Sequence, residues 1–339
     1  MAEHFAWGLI GPGRIAQRFA DAVQRLPDSR LAVVQGRDLA RATAFARTWQ
    51  RPDKAPVRAT GSIAALLAEP GLDAVYIATP HAFHAGAIQS CLEAGVPVLC
   101  EKPLVTDAAT AQRLADLARE RGVFLMEALW TRFLPAYAQA GRWLREGAIG
   151  PLRALQSSFC FDTPYDPTSR THDPAQAGGA LLDIGIYNLS ATRWALREAR
   201  FAIDEAPAMH VHALKSPSGV DQRLSVLLGF ADGLASQFVC GFDGHADNGL
   251  RLFGRDGVIH FPERFWEAQR VVLQRGDDAP VGVDAPFGLN GFEYEVIDAM
   301  QCIRAGRLQS EVMPLAETIA TLRWMDAIRA QAGVRYPFE

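Results

Sequence analysis

Phe5-Ala6-Trp7-Gly8-Leu9-Ile10 runs directly into Gly11-Pro12-Gly13-Arg14-Ile15-Ala16, and this junction decides the fold. The first six residues are a nearly continuous apolar run, the pattern of a strand buried on both faces. The next six read G-x-G-x-x-A and open a helical pattern at about Ile15–Gln24. In that context the first glycine permits a tight turn and the second lets the backbone approach a pyrophosphate. The small Ala16 lets helix and strand pack closely. A helix that starts there offers free N–H donors and positive partial charge to an anion. Gly11, Gly13, Arg14 and Ile15 are therefore expected to bind the phosphates of a dinucleotide.

Downstream, strand-like runs at Leu31–Gln35, Ala74–Ala78, Pro97–Cys100 and Phe124–Glu127 alternate with helical patterns at Leu39–Trp49, Phe83–Ala94 and Ala108–Arg121. Asp38 is placed to cap the first of these helices, and Gly95 and Gly122 stand where helix-ending glycines belong. Alternating β and α units predict a doubly wound parallel sheet. After about residue 150 the pattern changes. A strand-like stretch, Leu152–Phe161, is followed by a Pro-, Asp- and Thr-rich loop at 162–177 and a helix from about Gly179 to Leu196. Then come strand-like stretches at Met209–Leu214, Leu224–Phe230, Leu234–Phe242, Leu250–Gly254, Val258–Phe261 and Val271–Gln274. Asp232-Gly233 and Asp256-Gly257 are hairpin signals among them. Strands without intervening helices predict a second, mainly antiparallel sheet. Helical patterns at Gly291–Arg304 and Leu315–Gln331 close the chain. The expected class is α/β, with a Rossmann domain over residues 1–127 and an α/β domain over 128–339.

Composition narrows the function. Of 339 residues 49% are hydrophobic, enough to fill ordinary cores. Lys and Arg number 34 against 38 Asp and Glu, a formal net charge of −4, so there is no basic surplus for nucleic acid or an anionic membrane. No window approaches the roughly 18 unbroken apolar residues of a spanning helix. The start, Met1-Ala2-Glu3-His4, has no basic segment followed by a long apolar one, so no export signal and a cytoplasmic location are expected. Cys91, Cys100, Cys160, Cys240 and Cys302 are scattered, without the spacing of a disulfide framework or a zinc site, and no metal is expected.

The Leu31–Gln35 strand is followed by Gly36-Arg37-Asp38. An NAD site places an acidic side chain at this strand end to hold the ribose 2′-hydroxyl. Here Gly36 has no side chain, Arg37 follows it, and Arg41 lies one helical turn further on. Guanidinium groups pair bidentately with phosphate, so NADP is expected. The alternative, in which Asp38 holds the ribose, competes with its fitness as a helix cap.

Three further segments carry the expected chemistry. Thr79-Pro80-His81-Ala82-Phe83-His84 and Glu101-Lys102-Pro103 follow strand ends, where ligands bind in open α/β sheets. In Gly178–Tyr187, a helical reading puts Asp183 and Tyr187 at i and i+4 on one face. Alcohol oxidation by a nicotinamide needs a hydride acceptor against the carbinol carbon and a base for the hydroxyl proton. Tyrosine, with a pKa of about 10, becomes a workable base beside a cation such as Lys102. Asp183 then orients the substrate hydroxyl or Lys102. Arg170, His172 and Asp173 of the 162–177 loop either face sugar hydroxyls or serve local turns.

These residues, in this order and spacing, resemble the glucose–fructose oxidoreductase / inositol dehydrogenase / MocA family over nearly the whole chain. The stretch Met126–Pro135, together with Tyr187 in Leu182–Tyr187, is similar to its branch of dimeric dihydrodiol dehydrogenases and NADP-dependent D-xylose dehydrogenases. The resemblance implies catalytic roles for Lys102, Tyr187 and Asp183. It implies cofactor contacts from Thr79, Pro80, His84, Glu101, Lys102, Trp130 and Arg132, with 2′-phosphate ligation by Arg37 and Arg41. Substrate contacts are implied for Lys102, Phe133, Asp183 and Tyr187. It further implies NADP as cofactor, a small cyclic diol or sugar as substrate, and a homodimer formed through the open face of the second sheet. Alternatives within the resemblance are inositol or other sugar dehydrogenation and a non-catalytic NADP-binding regulator.

Overall fold

A computed structural model describes residues 4–203 and 206–339. Met1–Glu3, on which the export-signal expectation partly rests, lie outside the described residues.

The chain divides into two compact units. The first holds the stretch up to Trp130 together with Gly288–Ile319, and the second holds Thr131–Phe287 and Ala320–Glu339. The division falls three residues beyond the expected 127/128 boundary, and it returns a C-terminal stretch to the first unit.

The first unit carries strands β1 (Phe5–Ile10), β2 (Ser29–Gln35), β3 (Arg58–Thr60), β4 (Ala74–Ile77), β5 (Val98–Glu101) and β6 (Leu125–Ala128). Helices α1 (Arg14–Arg25), α2 (Leu39–Thr48), α3 (Ile63–Leu67), α4 (His84–Glu93) and α5 (Ala108–Arg121) lie between them. The sheet order is β3-β2-β1-β4-β5-β6, and every pairing is parallel. Order reverses between β1 and β4, so the crevice at their carboxyl ends is a topological switch point. β1, β4, β5 and β6 are buried along their whole length, which is why they read as unbroken apolar runs. Asp38 caps α2 through Ala40 and Arg41 N–H, and Gly122 ends α5 at φ +65°.

In the second unit α6 (Pro135–Arg145) precedes β7 (Leu152–Cys160). A π-helical turn, Leu181–Gly185, leads into α7 (Ile186–Glu198). Then follow β8 (Ala208–Lys215), β9 (Asp221–Gly229), β10 (Ala235–Gly241), β11 (Leu250–Gly254), β12 (Gly257–Phe261), β13 (Arg270–Arg275) and β14 (Val281–Asp284). The order is β14-β13-β12-β11-β7-β10-β9-β8, antiparallel throughout except β7 with β10. On β9 and β10 alternate residues are buried (Leu224, Val226, Leu228, Ser236, Phe238, Cys240), while β8 is largely exposed. This is the one-sided pattern of an antiparallel sheet with an open face.

Helices α8 (Glu293–Arg304) and α9 (Leu315–Ala332) end the chain, α8 in the first unit. There Arg18 on α1 donates to the Asn290 carbonyl, and Arg304 pairs with Asp28 at 2.6 Å. Glu295 on α8 is fully buried, with neither carboxylate oxygen hydrogen-bonded. Burial, and then the charge of Glu101, push its pKa well above the usual carboxylate range. A folded-state pKa raised above the unfolded one gives stability that is whole below the unfolded value. That stability is lost as pH rises toward the folded one. Glu295→Gln is therefore expected to gain on the wild type between pH 5 and pH 8, by at least about 1 kcal/mol in urea unfolding. A gap that stays flat with pH refutes this.

Candidate active site

At the switch point Gly11 adopts φ +90°, and a Cβ there would lie 2.8 Å from the Ala78 carbonyl oxygen. Gly11 N–H donates to Gln35 O at 3.0 Å and Gly13 N–H to Gly11 O at 2.8 Å, which fastens the turn. Gly13 begins α1 with no side-chain cap, leaving the first-turn amides to an external acceptor. Arg14 and Ile15 are exposed beside it. Gly36 is buried, and a Cβ there would meet Pro12 Cγ at 3.1 Å. A side chain at this strand end would press on Pro12, and Asp38 is engaged as a cap. Arg37 and Arg41 are exposed. The Arg37 guanidinium stands 5.4 Å from the ring centre of Phe83, an aromatic that is 45% exposed. The sequence reading did not single out Phe83. An exposed aromatic beside an arginine at this strand end fits an adenosine 2′-phosphate on chemical grounds.

After β4, Thr79 and Pro80 are half-buried. His84 has no exposed surface: its Nδ1 lies 2.9 Å from Pro103 O and its Nε2 2.8 Å from Thr79 O. Burial pulls its pKa below the imidazole value, against the opposing pull of these carbonyls. His84 thereby joins the loops that follow β4 and β5. Glu101 ends β5, buried, and accepts the Tyr76 hydroxyl. Burial and the Glu101 charge push the Tyr76 phenol far up, so it stays a donor. Lys102 is half-buried, and its peptide bond to Pro103 is cis. Leu104 N–H donates to Glu127 Oε1, whose other oxygen accepts Thr318 Oγ1, fixing this loop to the core. Trp130 is buried against Phe292, with the Arg18 guanidinium 4.4 Å from its ring centre.

In the second unit Asp183 and Tyr187 are 5% and 8% exposed. They do not share one regular α-helix, as the spacing predicted: Asp183 lies in the π-helical turn and Tyr187 at the start of α7. Arg170 pairs with Asp183 Oδ1 at 3.0 Å, tying the 162–177 loop to this segment. His172 and Asp173 have local roles. His172 is buried with Nδ1 near Ser169 and Thr171, and Asp173 caps the short turn at Ala175. The Tyr187 ring packs 5.7 Å from Phe159. Phe133 is half-buried, and Arg132 is buried against α7, donating to Ser190 Oγ and O. Among the described residues, no group of three His, Cys, Asp or Glu could hold a metal, and no helix is long and apolar enough to cross a membrane.

Residues 5–129 match the model of an oxidoreductase family with an NAD-binding Rossmann fold, and residues 137–260 match the GFO/IDH/MocA C-terminal domain. Among curated proteins, the trans-1,2-dihydrobenzene-1,2-diol dehydrogenases of Mus musculus and Homo sapiens are 34% and 33% identical, each covering 98% of both chains. A 3-ketoreductase from Actinomadura kijaniata, solved with NADP and TDP-benzene, is 27% identical. It superposes with a TM-score of 0.82 over 97% of this chain and 98% of its own. The aldose-aldose oxidoreductase of Caulobacter crescentus shares the fold at TM-score 0.85 and 23% identity, covering 98% of each chain.

Proposed function

The chain belongs to the GFO/IDH/MocA oxidoreductase family, and from that premise we propose that it is an NADP-dependent dehydrogenase of a CH–OH group in a small cyclic diol or sugar. The observation that carries this is the nucleotide turn. Gly11 is packed on Ala78, Gly36 is closed against Pro12, and the strand end presents Arg37 and Arg41 in place of a carboxylate. The residues fit NADP, whose nicotinamide supplies the hydride acceptor when bound. Gly11, Gly13, Arg14 and Ile15 offer the pyrophosphate backbone donors and the α1 terminus. Arg37 and Arg41 take the 2′-phosphate. Thr79, Pro80, Trp130 and Arg132 shape the cofactor's surroundings, with His84 and Glu101 supporting them from the interior.

Tyr187 takes the hydroxyl proton, with Lys102 as the cation that favours the phenolate. Asp183 and Phe133 hold the substrate in position. Trans-1,2-dihydrobenzene-1,2-diol and D-xylose are the substrate types we propose; the full-length likeness to the diol dehydrogenases supports the first. A cytoplasmic location and a homodimer through the open sheet face belong to the same reading. Five buried free cysteines accord with the first. A groove of about 970 Å³ on that face, lined by His210, His212, Leu227, Gln237 and Arg251 among others, accords with the second.

NADP reduction followed by absorbance across a panel of aldoses and cyclic diols tests the activity. Silence across the panel with NADP still bound favours a regulator instead. Arg37→Ala is expected to weaken NADP by about 10- to 100-fold, the worth of a charge-assisted hydrogen bond, and to leave NAD unchanged. Unaltered discrimination between the two cofactors removes Arg37 from the site.

A further inference from the structure

The segment bearing Asp183 and Tyr187 begins at Gly178-Gly179, and three separate elements close on that pair. From the 162–177 loop, Thr171 O accepts Gly179 N–H at 2.9 Å and Asp173 O accepts Gly178 N–H at 3.0 Å. A Cβ on Gly178 would come within 3.0 Å of the carbonyl oxygens of Arg170, Thr171 and Asp173. From β9, Asp221 Oδ2 accepts Leu181 N–H at 2.6 Å, at the first residue of the π-helical turn. Asp221 Oδ1 would sit 2.3 Å from a Cβ on Gly179, whose φ is +122°. From the C-terminal tail, the buried Tyr336 hydroxyl donates to Gly178 O at 2.9 Å. The tail is itself held. Arg329 on α9 lies 4.9 Å from the Tyr336 ring centre and pairs with Glu339 and Asp326, and Glu339 accepts Tyr336 N–H.

Asp221 is only 1% exposed, and its Oδ1 has no hydrogen-bond partner. A buried carboxyl that keeps one oxygen on an amide and leaves the other without a hydrogen bond is costly, so a fold that retains it gives it a use. We propose that Asp221 and Tyr336 are positioning residues, a clasp that fixes where the π-helical turn starts and thereby aims Asp183 and Tyr187. This rests on the reading of Asp183 and Tyr187 given above and deepens it. The clasp has two ends: a carboxyl oxygen on the amide that opens the turn, and a phenol on the carbonyl three residues before it. A helix held at both points cannot slide by a residue between α and π spacing, and such a slide would rotate Asp183 away from Arg170. Burial pushes the Asp221 carboxyl up to about 7, against the opposing pull of the Leu181 amide and of Arg329. Arg329, Tyr336 and Cys240 are the titratable groups that act on it from α9, the tail and β10. An amide side chain therefore reproduces the neutral form and keeps the acceptor oxygen.

The test compares Asp221→Leu, Asp221→Asn, Tyr336→Phe and Tyr187→Phe in the full chain. Turnover is measured with NADP on trans-1,2-dihydrobenzene-1,2-diol and D-xylose, and amide exchange across 178–187 is measured alongside. Asp221→Leu is expected to lower kcat by about 10- to 100-fold, as a misplacement near 1 Å does, while KM for NADP stays within about twofold. Its exchange across the segment rises. Asp221→Asn is expected to restore kcat to within about threefold of wild type and to restore protection. Wild-type kcat in Asp221→Leu, or Asp221→Asn as slow as Asp221→Leu, overturns the proposal. If Asp221→Leu does not fold, Tyr336→Phe decides: a lowered kcat at unchanged NADP KM supports the clasp, and an unchanged kcat overturns it. Tyr187→Phe separates the two levels. Full turnover there overturns the site and the clasp together, whereas its loss beside an unaffected Asp221→Leu overturns the clasp alone.

Discussion

Tyr187→Phe is expected to lower turnover by about 10²–10⁴-fold, the usual contribution of general acid–base catalysis, with little change in stability. The two halves of this expectation have different physical sources. The ring is buried beside Phe159, and phenylalanine keeps that apolar contact, so unfolding should move by no more than about 1 kcal/mol. The hydroxyl is what the proposed chemistry requires, and phenylalanine has no proton to take or give. Hydride transfer from an alcohol leaves a proton that must go somewhere; Asp183 is already paired with Arg170, and the buried Arg132 is engaged with Ser190. Reduced-nicotinamide absorbance and thermal unfolding, run on the same preparation, read both halves. A loss below tenfold with an intact fold demotes Tyr187 from proton transfer to packing.

Local geometry explains how much of this was legible in the chain. β1, β11 and α5 have the bounds their patterns predicted, because strands buried on one or both faces and a helix between Asp107 and Gly122 announce themselves within a few residues. β3 and β14 hold no buried residue, so neither shows the apolar run by which the similarly short β4, β5 and β6 were legible. Ala180-Leu181-Leu182-Asp183-Ile184 suits an α-helix as well as a π-helical turn. The choice depends on Asp221, Tyr336 and the 170–173 carbonyls, distant in sequence. The nucleotide turn was readable for the converse reason: its glycines, its helix start and the short Gly36 all act on near neighbours. The link that His84 makes between two loops was not legible, because its partners Thr79 and Pro103 are set by the fold and not by local spacing. The placement of Glu295 and Asn290 in the first unit likewise rests on contacts spanning some 270 residues, such as Arg18 with Asn290.

Gly11→Ala and Gly13→Ala are expected to fail in different ways, and the contrast tests the nucleotide site itself. At Gly11 an added Cβ meets Ala78 O at 2.8 Å and Ala78 C and Thr79 N at 2.9 Å, all backbone atoms that no rotamer change can remove. The φ of +90° is a second obstacle, costing about 1–3 kcal/mol for a residue with a side chain. The neighbours are pinned, since Ala78 N–H donates to Ile10 O at 2.8 Å and Gly11 N–H to Gln35 O. Relief must come from opening the turn, so Gly11→Ala should lose about 2–4 kcal/mol of stability and most NADP binding. Gly13 is different: its φ is −90°, and the nearest atom to an added Cβ is Ala78 O at 3.9 Å. The folded chain has room for alanine there, and only a pyrophosphate drawn up to the backbone does not. Gly13→Ala should therefore unfold like the wild type without ligand, yet lack the rise in unfolding temperature that NADP gives the wild type by binding only the native state. If Gly13→Ala is stabilised by NADP as the wild type is, the cofactor does not lie on this turn. The assignment of Gly11, Arg14, Ile15 and Arg37 to its phosphates then fails, whatever the turnover of the enzyme.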